Sequence, residues 1–230
     1  MLTIRVERPD DLARGLEELG LEPPRPTVVV AGGACKLSVG DAGLIEPALT
    51  DLAGAADRLD AAIVDGGTDA GVMRILGRAR ANGHSFPLVG VVVDSLAVEP
   101  GTEPDGEQAV LEPNHSHAVL VPGAEWGDEV PWLVRVADAL AAGAPSITVL
   151  ANGGDIAFED AAASVNGGRI VLALDGSGRT ADELAAAARG EPADERARVL
   201  AASGLVHVLD LREDGDGLAV EVERLLARGG

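Results

Sequence analysis

The chain has no tyrosine, two phenylalanines and two tryptophans among its 230 residues. With aromatics at 2%, the stacking platforms that single-stranded nucleic acids require are missing. Val, Leu, Ile and Ala must fill the core instead, so sheet and helix layers are expected to pack closely. Basic side chains are also scarce. Lys36 is the only lysine, 18 basic residues face 38 acidic ones, and the formal net charge is −20. Recognition of a phosphate backbone needs clustered positive charge, so no nucleic-acid partner is expected. The same excess of negative charge repels anionic membranes, and no apolar run approaches the roughly 20 residues that span a bilayer. Direct membrane contact is therefore not expected. Cys35 is the only cysteine, which excludes an intrachain disulfide and a CxxC metal knuckle. The opening MLTIRVERPDD has no basic stretch leading into an apolar one, so no signal peptide is read. These absences together predict a cytoplasmic protein.

Hydrophobic residues make up 47% of the chain, ample for a large core. Short apolar runs recur at 2–7, 27–31, 61–65, 87–93, 117–121, 146–150, 169–174 and 205–210. They are near-continuous rather than alternating, as in strands covered on both faces. Helix-like segments separate them. Residues 69–82 place Val72, Ile75, Leu76 and Ala79 on one face and stop at Asn82-Gly83; residues 128–142 repeat that spacing with Val130, Leu133, Val134 and Ala137 and stop at Gly143. A further helix is read over 10–19, and Thr180 with Glu183 predicts a capping box for a helix through about Arg189. Residues 99–108 read as a mobile polar loop and 211–217 as an acidic turn before a last strand or helix. No internal repeat is present. The expectation is one α/β domain over 1–230, Rossmann-like, with a mainly parallel sheet and helices on both faces.

Glycines cluster just after the strands, in AGGA at 31–34, DGGTDAG at 65–71, ANGGD at 151–155 and DGSGR at 175–179. Ligands of open parallel sheets bind at the carboxyl ends of strands, where glycine permits sharp turns and close backbone approach. The helix that follows presents unpaired N–H groups and a positive dipole end, both suited to phosphate. None of the loops matches GxGxxG or GxxxxGK[ST], which disfavours ordinary dehydrogenases and P-loop NTPases. Thr68 and Ser177 can donate hydroxyls to phosphate, and Arg179 can clamp it bidentately, unless it serves as a surface ion pair. Glu159 and Asp160 can hold ribose hydroxyls or act as acid or base, although helix N-terminal carboxylates also serve the dipole alone.

These motifs resemble a family. GGTDAGVMRILG at 66–77, LEPNHSHAVLV at 111–121, GDE at 127–129 and the segment 152–185 are similar to successive segments of the N-terminal cytosolic domain of melastatin-type TRP channels. The likeness runs from near Asp11 to about Ala188 and resembles a prokaryotic version of that domain within the SLOG superfamily. The channel's membrane segments have no counterpart here. The resemblance implies a sensor or binding module for nucleotides and NAD-derived molecules such as ADP-ribose. By position it places Gly32, Gly33, Ala34, Gly66, Gly67, Thr68, Gly71, Asn114, His115, Asn152, Gly153, Gly154, Glu159, Gly176, Ser177, Gly178 and Arg179 at the ligand. The superfamily also contains LOG-type phosphoribohydrolases, which cut an N-glycosidic bond with a PGGxGTxxE loop. The corresponding stretch here, NGGDIAFED, carries Ile156, Ala157 and Asp160 where those enzymes have Gly, Thr and Glu. A hydrolase would rely on Glu159, Asp160 and Arg135, the last only a loose match.

Other constellations point less far. His115 and His117 share a strand face, which a metal pair needs, but no further ligand has matching spacing, so backbone-bonded histidines or a ligand contact are expected and no metal. Lys36 beside Cys35 can lower the thiol pKa, yet no histidine partner is evident. Trp126 and Trp132 read as core or interface residues, with Trp126 also placed to cover a base. The leading expectation is a binding sensor for an ADP-ribose-like nucleotide, with no cofactor, that passes occupancy to a fused or associated effector or to a homo-oligomeric partner. The alternatives are an N-glycosidic hydrolase and an assembly domain with a vestigial pocket.

Overall fold

The computed structural model describes residues 1–34, 37–213 and 217–227. Cys35 and Lys36, and the thiol chemistry considered for them, lie outside the described residues. The strands are β1 (Leu2–Arg5), β2 (Thr27–Gly32), β3 (Ala62–Asp65), β4 (Leu88–Val93), β5 (Ala97–Val98), β6 (Ala109–Val110), β7 (His117–Val121), β8 (Ser146–Ala151), β9 (Ile170–Asp175) and β10 (Val206–Asp210). The α-helices are α1 (Leu12–Glu18), α2 (Val39–Arg58), α3 (Gly71–Ala81), α4 (Val130–Ala141), α5 (Asp155–Asn166), α6 (Arg179–Ala188), α7 (Glu195–Ala201) and α8 (Leu218–Ala227). No described helix is long and apolar enough to cross a membrane.

Eight strands form one sheet in the order β1-β7-β4-β3-β2-β8-β9-β10, and every pairing in it is parallel. Side chains alternate between its faces. Val28 and Val30 of β2 pack with α2, α3 and α8, whereas Val29 packs with α1 and α4, and Ala31 with α5, α6 and α7. Both faces are thus covered, which is why the strands read as continuous apolar runs. The fold is α/β and Rossmann-like. Trp132 belongs to the core between α4 and the sheet.

The chain leaves β2 in two directions. β3 and β4 build outward on one side, and β8, β9 and β10 build outward on the other. Neighbouring β2 and β8 therefore send their following loops to opposite faces. That divergence opens a crevice at their carboxyl ends, the topological switch point where ligands of such sheets bind.

The sequence pattern does not predict helices α2 and α7. In α2, Pro47 and several glycines blur the helical pattern, but Ser38 caps the helix by accepting from the Asp41 amide at 3.1 Å. The predicted Thr180–Glu183 capping box does not form. Asp182 instead accepts from the Gly176 and Gly178 amides at 2.9 Å each, while Glu183 accepts from the Asp194 amide. The acidic turn near 211 leads into helix α8.

Close packing of β3 against β4 depends on Gly67, whose φ is +63°. A Cβ there would lie 2.8 Å from the Gly90 Cα. Gly67→Ala is expected to destabilise the protein by at least ~1 kcal/mol, the cost of forcing a side chain into the left-handed region, with the clash added. Urea denaturation measures it, and an unchanged midpoint would contradict this packing.

Candidate functional site

A cavity of about 590 Å³ occupies the crevice, within the usual range for small-molecule sites. Its floor is the end of β2 and its loop, Val30 to Ala34. Gly66, Thr68, Ala70 and Met73 form one wall, and Gly154, Asp155, Ile156 and Ala157 form the opposite one. Glu129 and Leu133 of the α4 end, Asp160, Arg179, Trp126 and the segment 107–109 complete it.

Helix α5 points its N-terminus into this space. It has no side-chain cap, and its first internal bond runs from the Phe158 amide to the Gly154 carbonyl. The amides of Asp155, Ile156 and Ala157 therefore lie outside the helical ladder. Helix α3 is closed more tightly: the Val72 amide donates to the Gly33 carbonyl at 3.1 Å. That approach demands glycine at 71, because a Cβ there would fall 1.7 Å from the same carbonyl oxygen. Arg179 opens α6 with φ +53°, a conformation costing about 1 kcal/mol for a residue with a Cβ. Its guanidinium lies over Gly154, where a Cβ would come within 2.7 Å of Nη2. Among the described lining residues Arg179 is the one basic side chain.

The other end of the cavity is acidic. Asp160 is only 8% exposed. Burial, and then the charges of Glu129 and Glu159, push its carboxyl up to about 7. Burial also raises Glu129, against hydrogen bonds from its own amide and that of Gly127. The segment 99–108, expected to be mobile, is tied at its cavity end: Trp126 Nε1 donates to the Glu107 carbonyl at 3.0 Å.

The family model described as SLOG in TRPM, prokaryote, matches residues 25–219. The chain belongs to this prokaryotic SLOG family. None of the curated proteins compared with the chain matches it. The matched span begins just before β2 and runs into α8, so it starts later and ends further on than the motifs alone suggest, and it contains every cavity-lining residue.

Of the residues singled out from the sequence, this SLOG domain brings Gly32, Gly33, Ala34, Gly66, Thr68, Trp126, Gly154, Asp160 and Arg179 to the cavity. The others are not among its lining residues. Asn152 and Ser177 are buried and clamp two loops together: the Asn152 amide donates to Ser177 Oγ at 2.8 Å, and Asn152 Nδ2 donates to the Ser177 carbonyl at 2.7 Å. Gly153 donates its amide to Asn152 Oδ1. Gly176 and Gly178 are held by Asp182, and Gly67 and Gly71 serve backbone packing. Glu159 stands beside a shallow groove between α5 and α7. Arg135 stacks its guanidinium 6.0 Å from the Trp132 ring centroid. Glu129, Ile156 and Ala157 line the cavity without being predicted as ligand contacts; GDE and NGGDIAFED carry them, but only helix packing shows which residues face inward.

Asn114 and His115 instead belong to a buried ionic knot. His115 Nε2 lies 2.8 Å from Asp65 Oδ1, and Nδ1 lies 2.9 Å from Glu112 Oε2. Spacing does not reveal the two carboxylates, and they replace the backbone partners expected for this histidine. Asn114 adds its amide and side-chain nitrogen to Glu112, and Asp65 accepts from the Gly67 amide. The knot thereby fixes the loop carrying Gly66 and Thr68. Among the described residues no group of three or more His, Cys, Asp or Glu is arranged to hold a metal.

Burial alone would lower the His115 pKa, but the Asp65 charge and the hydrogen bonds to Asp65 and Glu112 raise it to about 9, from 6.5. The folded state holds this proton more tightly than the unfolded one. Its stabilisation is complete below pH 6.5 and is lost as pH rises through about 9. Asp160, also raised, completes its loss in the lower part of the interval from 7 to 9, and the upper part of that interval reports His115. The unfolding free energy is expected to fall there, by up to ~3 kcal/mol overall. His115→Gln, which leaves two buried carboxylates without a cation, is expected to lose several kcal/mol and the slope with it. A wild-type profile flat from pH 7 to 9 would contradict the charged knot.

Proposed function

We propose that this SLOG domain is a binding sensor for a nucleotide derivative of the ADP-ribose type. The observation that carries the reading is the convergence, in one cavity at the switch point, of the open α5 N-terminus, the Gly32-Gly33 turn and Arg179. Unpaired amides, the positive dipole end and a guanidinium together suit a phosphate group. In a chain of net charge −20, such a local positive site is what an anionic ligand needs. The room beyond it, bounded by Trp126, Met73 and Leu133, offers an apolar wall for a planar base. Occupancy would be passed on through the segments that close the cavity, 107–109 and the loop of Trp126, to a partner or effector.

A second reading, cleavage of an N-glycosidic bond, is favoured by one observation. Asp160 stands at the position that bears the catalytic glutamate in LOG-type enzymes, lines the cavity, and is raised to about 7, as a general acid requires. Arg135, engaged with Trp132, does not support it.

Thermal unfolding with ADP-ribose, NAD, AMP and cyclic dinucleotides, followed by chromatography of each mixture, separates the readings. A ligand at ~100 times its dissociation constant stabilises by roughly 2.7 kcal/mol. The expected result is a raised melting temperature with the ligand recovered intact, and a shift largely lost in Arg179→Ala. Free base in the mixture would establish the hydrolase, and no shift with any compound would leave an assembly domain.

A further inference from the structure

The acidic end of the cavity carries an interaction that phosphate binding does not use. Asp160 is more than nine-tenths buried as a residue and borders the cavity, and its carboxyl oxygens, which accept no hydrogen bond from the described residues, open onto that space. A carboxyl that faces a cavity without a protein partner takes its hydrogen bonds from whatever fills that cavity, water or a ligand. The ionisable groups around it are Glu129 with its neighbour Asp128 from the α4 end, Asp155 and Glu159 on α5 itself, Glu107 from the β6 side, and Arg179 from α6. Carboxylates dominate this set, and Arg179 stands at the Gly154 end. A second full negative charge beside Glu129 in a wall this buried is costly.

We propose that Asp160 enters the cavity as a neutral carboxylic acid, donates a hydrogen bond to a hydroxyl oxygen of the ligand's sugar beside the Glu129 carboxylate, and so couples occupancy to a proton. The identity of the ligand rests on the reading above; the state of the carboxyl does not. One carboxylic acid and one carboxylate match a vicinal diol, because a hydroxyl both accepts and donates. Above neutrality the free Asp160 is ionised. An anionic ligand then draws one proton from solvent onto it, and at lower pH no proton moves.

Calorimetric titration of the whole chain with ADP-ribose, from about pH 6 to about pH 8.5 in two buffers of different ionisation enthalpy, tests this. Affinity is expected to fall above neutrality towards the single-proton limit of about tenfold per pH unit, with up to one proton taken up. Asp160→Asn, which keeps a donor without the charge, should bind at high pH nearly as tightly as wild type does at low pH, with no slope. A flat wild-type profile, an Asp160→Asn variant with the wild-type slope, or pH-independent binding that requires Mg²⁺ would each overturn the proposal, the last because both carboxyls would then act as cation ligands. In the ligand-free protein, NMR of the Asp160 carboxyl carbon should show titration near neutrality. Titration in the ordinary carboxylate range overturns the proposal whatever the cavity binds. Near-neutral titration without ADP-ribose binding at any pH upholds the neutral acid and overturns the nucleotide reading alone.

Discussion

The parallel pairing of β2 with β8 is the constraint on which the rest of the structure depends. Six registered residue pairs, from Thr27–Ser146 to Gly32–Ala151, bring two strands more than 100 residues apart side by side. Every strand of this sheet that precedes β8 lies on one side of that seam, and every strand that follows it lies on the other, while β5 and β6 pair separately. The two loops that leave it must diverge, and the space between them is the cavity. The glycines follow from the same constraint. At Gly71 the Gly33 carbonyl closes helix α3 at a distance that leaves no room for a Cβ, and at Gly33 a Cβ would lie 2.7 Å from Asn152 Oδ1.

The cavity is polarised in a way the bulk charge hides. At one end lie backbone amides and Arg179, and at the other lie Glu129 and Asp160. Neither end is held by the cavity's own contacts alone. The Asn152–Ser177 clamp ties the β8 loop to the β9 loop, and the imidazolium of His115 ties the β3 loop to the segment after β6. Both sets of residues resemble ligand contacts in the sequence because they sit inside the glycine-rich and PNHSH motifs. Their bonds run to the protein itself, so their effect on a ligand would pass through the loops they fix.

Local features were legible in the sequence and non-local ones were not. The run HAVLV coincides with β7, and the helices over 71–81 and 130–141 start and stop near their predicted signals, because burial and helix ends leave residue-by-residue marks. Helix α2 was not, since Pro47 and its glycines mask a face that tertiary packing nevertheless buries. The phosphate-suited half of the site was readable, because paired glycines at a strand end mark a sharp turn and a close backbone approach. The acidic half was not: Glu129 and Asp160 meet only because α4 and α5 pack on the same face of the sheet. Nor does spacing reveal that Asp65 and His115, 50 positions apart, are in contact.

In the proposed function the switch-point crevice holds the ligand at the α5 N-terminus. Backbone-amide NMR during titration with ADP-ribose tests it most directly. The largest shifts are expected at the amides of Gly33, Ile156 and Ala157, with smaller ones at Thr68 and Trp126. Shifts confined to the opposite ends of the strands, around Ser146 and Arg169, or no shifts at all, would contradict it.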